Sequence, residues 1–293
     1  MNKVKFIMLF RRELWEHKKS FFGVFAALGG VFLFVLITFL TKIYLNNDLP
    51  QDFVIDIENI SVDQIRPSLH TFVVVFFYIF ISISTLVTMN YLLGSLYDDR
   101  RDRSILFWKS MPISETHNVL VKFLTGLLIV PVSALIISLV TILILLIIVT
   151  LLSFILGLGN IGLVLFNSGL VLAFFSALLF IFASGLWFSP IYSWLMLVSS
   201  STSGSPMMWS ILPPLGIIIV ENIFFGRSWL FNIFASYIPD FNNHMKDYFG
   251  DGHEFMNSLS KSFLSGPEVF VGIIVSFVFL SLAIWMRNNR YEM

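Results

Sequence analysis

The sequence predicts an all-α polytopic membrane protein of six transmembrane helices, and three observations carry that prediction. Six long apolar stretches lie between Phe21 and Trp285. Apolar residues make up 57% of the chain and charged residues only 12%, against roughly 45 to 50% and 25% in soluble domains. Lysine and arginine also crowd to one side of the alternating stretches, as they do on the cytosolic side of membrane proteins.

Taken in order, Val4 to Lys19 comes first. Phe6, Ile7, Phe10 and Leu14 recur at helical spacing, with Lys5, Arg12, Glu16 and Lys19 elsewhere around the wheel. This pattern predicts an amphipathic helix over 1–19 lying at the membrane surface, with Arg11, Arg12, Lys18 and Lys19 near anionic headgroups. A plain basic anchor ahead of the first span fits the same residues. The apolar stretch that follows is longer than a signal-peptide core and no small-x-small cleavage site follows it, so it reads as a retained helix.

A hydrocarbon core about 30 Å thick takes roughly 20 apolar residues per helix. Spans are expected from Phe21 to Thr41, Thr71 to Leu96, Phe123 to Leu156, Leu163 to Trp187, Met207 to Phe225 and Val269 to Trp285. The third would measure about 51 Å as one helix. It must tilt, kink near Pro131 or project beyond the bilayer. Gly23 with Ala27, Ala26 with Gly30, and Gly169 with Ala173 and Ala177 are spaced to let helices approach closely. The abundant phenylalanines are expected to face lipid or fill the core.

With the N-terminus inside, thirteen lysines and arginines fall on the cytosolic side and five on the other, so both termini are expected in the cytosol. The first outer loop is acidic, carrying Asp48, Asp52, Asp56, Glu58 and Asp63. Net charge is zero, which gives a nucleic-acid partner no electrostatic support. The absence of cysteine removes disulfides, thiolate metal sites and thiol nucleophiles.

Between spans two and three, residues 97–118 form the one sizeable charge cluster set between two apolar stretches. Asp98, Asp99, Arg100, Arg101, Asp102 and Arg103 are followed by Ile105, Leu106, Phe107 and Trp108, then Lys109 and Pro112. A short helix with a charged start, an aromatic end and a proline stop makes a compact docking element, because a partner surface would bury Phe107 and Trp108. Ser114 is placed to cap the helix leading into span three. A solvated positive-inside loop is the plainer reading of the charges alone.

Tyr97-Asp98-Asp99-Arg100, the run Ser104 to Ser114, and Lys122 together resemble the permease subunits of type-2 ABC transporters, mainly exporters. A second block, Pro190 to Leu195 with Pro206, Trp209, Leu212-Pro213-Pro214 and Glu221, supports the likeness. In hydropathy it covers essentially the whole chain as a single permease domain, 1–293. The resemblance implies a half-transporter whose pathway is enclosed with a second permease copy, identical or related, above two separate ABC ATP-binding subunits. ATP and Mg would be bound by those partners, and this chain would hold no cofactor. The ATPase would meet a short coupling helix through Asp98, Asp99, Arg100, Arg101, Phe107, Trp108, Lys109 and Pro112. The interfacial helix would contribute Phe6, Phe10, Arg11, Arg12 and Leu14. Residues Ser199 to Ser205 depart from the family pattern, in which relatives often carry basic residues. The outer loop 226–266 would suit an interfacial or re-entrant helix, and an aromatic belt explains the same residues.

No G-x-x-x-x-G-K-[S/T] phosphate loop occurs, so the chain is not expected to be an ATPase itself. The five histidines are scattered, with no H-E-x-x-H spacing, and G-x-S-x-G is absent, so no catalytic or metal-binding residue is expected. Pro213 and Pro214 should kink span five, for gating or for packing. Glu221 is the only acidic residue within the predicted spans; an ion-gradient-driven carrier would use it, and a wetted helix end would also hold it. The membrane expected is a bacterial inner membrane or its equivalent, and the cargo hydrophobic or amphipathic.

Overall fold

The computed structural model describes residues 3–46, 62–102, 114–155, 169–226, 231–232 and 267–289. The principal helices among these are α1 (Lys3–Glu16), α2 (Val24–Asn46), α3 (Val62–Arg101), α4 (Glu115–Leu124), α5 (Val130–Ile155), α6 (Leu170–Trp187), α7 (Ser189–Ser201), α8 (Pro206–Phe225) and α9 (Pro267–Asn289). Two π turns, Lys19–Gly23 and Thr125–Ile129, join α1 to α2 and α4 to α5. No strand occurs among the described residues. Six stretches are long and apolar enough to cross a membrane: Lys19–Lys42, Leu69–Arg101, Glu115–Leu151, Leu170–Trp187, Pro206–Phe225 and Val269–Asn289. The chain is an integral multi-pass membrane protein.

These spans match the six read from hydropathy, with three refinements; the expected start of the fourth, Leu163 to Ser168, lies outside the described residues. The second helix runs past Leu96 to Arg101, so Asp98 to Arg101 belong to the spanning helix rather than to the start of a separate short helix. The third span starts at Glu115 and is interrupted by the π turn just before Pro131. A proline ring in an α-helix collides with the carbonyl four residues back, here Leu127, and widening the turn relieves that collision. The fourth span ends at Trp187, but helix resumes after a bend at Phe188. Pro190 cannot donate to the Leu186 carbonyl; the Ser189 hydroxyl does so at 2.7 Å.

The chain divides into two compact units. One comprises His17–Thr85 and Val130–Ile181. Phe21 of the π turn and Phe25 of α2, both fully buried, continue into Gly29 and Phe32 to form one packed face. Phe32 packs on Phe76 at 4.9 Å and Phe76 on Phe80 at 5.1 Å. A Cβ at Gly29 would lie 2.5 Å from Thr141 Oγ1, so glycine is what lets α2 and α5 approach. The pairs Gly23/Ala27 and Ala26/Gly30 expected in that role are instead exposed, with open space at both glycines. Each is turned away from the Phe21–Gly29 face. Ala173 and Ala177 are buried as expected. The π turn at Lys19–Gly23 offers the Phe21 carbonyl to the Ser133 hydroxyl, 3.4 Å away.

The other unit comprises Met1–Glu16, Leu86–Ile129 and Phe182–Met293. Here α7 lies along α9, with Trp194 on Phe279 at 5.5 Å and Ser276 donating to Ser189 Oγ at 2.9 Å. The second π turn frees the Gly126 carbonyl, which accepts from Thr88 at 3.0 Å.

Candidate functional site

Four elements of this second unit converge on one buried cluster of charge. Glu13 comes from α1, Asp99 from the last turn of α3, Glu115 and Lys122 from α4, and Arg287 from the last turn of α9. Lys122 Nζ lies 3.2 Å from Glu13 Oε1 and 3.4 Å from Asp99 Oδ1. Arg287 places Nη2 3.0 Å from Asp99 Oδ2 and points Nε at Glu115 Oε2. Arg12 closes the far side, donating to Glu13 and, at 3.2 Å, to Asn118 Oδ1. Three carboxylates thus face three cations. Glu13 and Lys122 are at most 1% exposed, Arg287 4% and Asp99 7%, so none of these charges relies on water for compensation.

Local sequence explains how each group arrives. Glu13 sits one turn after Leu9, which is also buried, so α1 turns a carboxylate inward on its packed face. Lys122 lies within Val119-Leu120-Val121-Lys122-Phe123, whose packing draws the ammonium inside. Ser114 occupies the N-cap position of α4 with extended backbone, its carbonyl accepting from His117 N at 3.0 Å. Its hydroxyl shares a hydrogen bond with His117 Nδ1 instead of capping a backbone N–H. The Tyr91 hydroxyl donates to Glu13 Oε2 at 2.8 Å.

Burial alone would push the Glu13 pKa up. The charges of Lys122 and Arg12, with hydrogen bonds from Arg12 and Tyr91, overcome that and hold it at about 2. Lowered in this way, the Glu13 carboxyl stays ionised at neutral pH. Among the described residues no three acidic or histidine side chains group as a metal site. The arrangement joins four chain segments to one another.

The residues singled out in the sequence divide accordingly. Asp99 is a buried member of the cluster, not a surface group. Arg100 also turns inward, donating to the carbonyls of Ser199 at 2.6 Å and Thr202 at 2.8 Å. Ser199 Oγ accepts from the N–H groups of Leu96 and Tyr97, both at 3.0 Å. Ser199 and Thr202 of the serine-rich stretch thus hold the end of α3. Asp98 and Arg101 pair with each other at 3.3 Å on the surface. Phe107, Trp108, Lys109 and Pro112 lie outside the described residues, as does nearly all of the 226–266 loop.

On α1, Phe6 is half-buried, edge-on to Phe10 at 5.0 Å and to His117 at 6.5 Å, and Leu14 is half-buried too. Arg11 is exposed and lies 5.8 Å over Trp15, whereas Arg12 is engaged with the cluster. Ile7, Met8 and Trp15 are exposed, so α1 carries apolar groups on two faces. Pro213, Pro214 and Glu221 are half-covered on α8. Sequence reasoning passed over Glu13 and Arg287. A signal existed for Glu13, because Phe6, Phe10 and Glu13 share one side of the helical wheel and an acid there needs a partner. Comparison with protein-family models, with curated proteins and with solved structures found no match to this chain in any of the three.

Proposed function

We propose that the chain is the transmembrane subunit of an ATP-binding-cassette transporter, exporting a hydrophobic or amphipathic substrate while separate subunits hydrolyse ATP. The observation that carries this reading is the placement of Arg287. One guanidinium holds Asp99, four residues before the 103–113 connection, and Glu115, two residues after it. Both roots of that connection are pinned to the same point on α9, and through Lys122 to α1.

A segment pushed by a partner delivers displacement only if its roots are stiff, since a flexible loop would absorb the stroke. The ion cluster supplies that stiffness to the segment bearing Phe107, Trp108, Lys109 and Pro112. The same convergence supports both termini lying on one side of the membrane, because α1, the end of α3, the start of α4 and the end of α9 meet there. The excess of lysine and arginine on that side favours the cytosol. The exposed pair Arg11 and Trp15, with Ile7 and Met8, suits α1 to the headgroup layer of the cytosolic leaflet. Membrane lipids and a second permease copy complete the assembly, in a bacterial inner membrane or its equivalent.

The test is to purify the chain with the nucleotide-binding subunit encoded beside it and replace Phe107 and Trp108 by alanine. Loss of the complex with the permease still monodisperse is the expected result. Unchanged complex formation would overturn the docking role. Transport by the chain alone that collapses on adding an uncoupler, and is lost in Glu221→Gln, would overturn ATP coupling in favour of a gradient-driven carrier.

A further inference from the structure

Helix α8 is packed unlike the longer spans of its chain. None of its residues is buried, and none of its most apolar window is, against 11% for Lys19–Lys42, 28% for Val269–Asn289 and 39% to 50% for the other three spans. One specific attachment lies near its start. Pro213 and Pro214 lack the N–H groups that would bond the carbonyls of Trp209 and Ser210. In a helix crossing lipid, a carbonyl freed in this way is costly unless another donor reaches it. For Ser210 the donor is the indole of Trp194 on α7, whose Nε1 donates to Ser210 O at 3.1 Å. That indole is itself held, its ring lying 5.5 Å from Phe279 of α9, while Ser276 of α9 bonds Ser189 of α7.

The geometry points to a hinged arm. The part of α8 beyond Pro214 swings about the proline pair, and the Trp194 indole is the pin that fixes the part before it to the α7–α9 pair. Pro206, Ser210, Pro213, Pro214, Ile218 and Glu221 are the half-covered residues of α8, and their spacing places them on one face. Swinging therefore carries Glu221 toward or away from the rest of its unit. With two prolines in succession, the two backbone bonds that would resist bending at this point are missing. The hinge needs no ATPase and would serve a transporter of any energy source.

The chain contains no cysteine, so spin labels can be placed at Ile223→Cys and Phe270→Cys without altering the background. Both residues are exposed, at 73% and 63%. Distance distributions would be recorded in lipid nanodiscs for the otherwise unchanged chain, for Trp194→Phe, for Pro214→Ala and for the two combined. Trp194→Phe keeps an aromatic ring beside Phe279 and removes only the donor; losing one hydrogen bond should shift the ratio of pinned to released helix starts by about fivefold toward release and broaden the distances to the arm. Pro214→Ala returns a backbone N–H to the Ser210 carbonyl, so in that background Trp194→Phe should change nothing. A Trp194→Phe distribution superimposable on the parent would overturn the pin. So would an equal broadening in the Pro214→Ala background, which would assign the effect to ring packing. Should Trp194→Phe alone fail to stay monodisperse, recovery on adding Pro214→Ala supports the pin and continued failure refutes it.

Discussion

Lys122→Met is the sharpest probe of the ionic joint. Its ammonium lies 3.2 Å from Glu13 and 3.4 Å from Asp99, with the three side chains 2%, 0% and 9% exposed. At an effective dielectric constant of about 20, each contact carries about 5 kcal/mol of gross attraction. Desolvation of the ions offsets much of that, and measured losses on removing one partner of a buried pair run at about 3–5 kcal/mol. The melting temperature of the purified chain in detergent should fall by roughly 10 °C. The defect should also depend on pH in a definite direction. The stability contributed by Glu13, whose pKa falls from 4.5 to about 2 on folding, is present in full above pH 4.5 and is lost as pH drops toward 2. Without Lys122 the Glu13 carboxyl takes up its proton at higher pH, which relieves the stranded charge. The gap between parent and variant should therefore narrow as pH falls from 7 toward 4. Combining Lys122→Met with Glu13→Gln should recover much of the loss at pH 7, because the pair is removed together and Tyr91 keeps an acceptor. Equal melting of Lys122→Met and the parent at pH 7, or a gap that widens in acid, would refute the reasoning.

Three further outcomes follow from the same coordinates. Arg287→Met should cost about 3–5 kcal/mol by stranding Asp99 and Glu115, whereas Arg101→Ala, whose side chain is 59% exposed, should leave the melting temperature unchanged; paired melting curves decide. Tyr91→Phe removes the donor to Glu13 Oε2 and should cost about 1–3 kcal/mol, a loss that disappears when Glu13 is also replaced by an apolar residue. Gly29→Ala should destabilise by about 1–3 kcal/mol through collision with Thr141, whereas Gly30→Ala meets open space and should be neutral or stabilising; equal effects at the two positions would mean that α2 and α5 do not approach at Gly29.

The six spans were legible because hydropathy over some twenty residues is a property of each segment by itself. The joint was not, because its members are scattered from residue 12 to residue 287 and no local pattern pairs them. Lys122 and Arg287 contributed to the sequence reading chiefly as positive charges that orient the chain. Asp99 and Arg100 read as surface charge because a cluster of alternating sign is normally solvated; here α3 continues as helix through them, and helical rotation carries both inward. Gly29 and Gly30 are adjacent and chemically identical. Only packing against α5 decides which of them, about 100° apart around the helix, meets a neighbour. Pro214 announced a missing bond in the sequence, yet nothing near it named Trp194 as the donor that replaces it.

A buried ionic network is a weak source of net stability, since apolar groups of matching volume often hold a fold as well or better. What apolar packing does not supply is intolerance of intermediate positions. Leucines sliding past one another lose contact gradually, but moving α4 against α1 by part of a turn leaves Glu13 or Lys122 buried and unpaired, at a cost several times larger. The segments carrying Glu13, Asp99, Glu115 and Arg287 therefore move together or not at all, which is the property a lever requires and a stable fold does not. The variant combining Glu13→Gln with Lys122→Met separates these roles. It should melt well above Lys122→Met alone, because Arg12 keeps Asn118 and Asp99 keeps Arg287, and in the proposed transporter it should bind its ATPase normally while transporting less per ATP hydrolysed. If transport per ATP were unchanged, the charges of this pair would be serving the fold alone, and stiffness at the roots of the 103–113 connection would have to come from the packing around Val119, Val121 and Leu9.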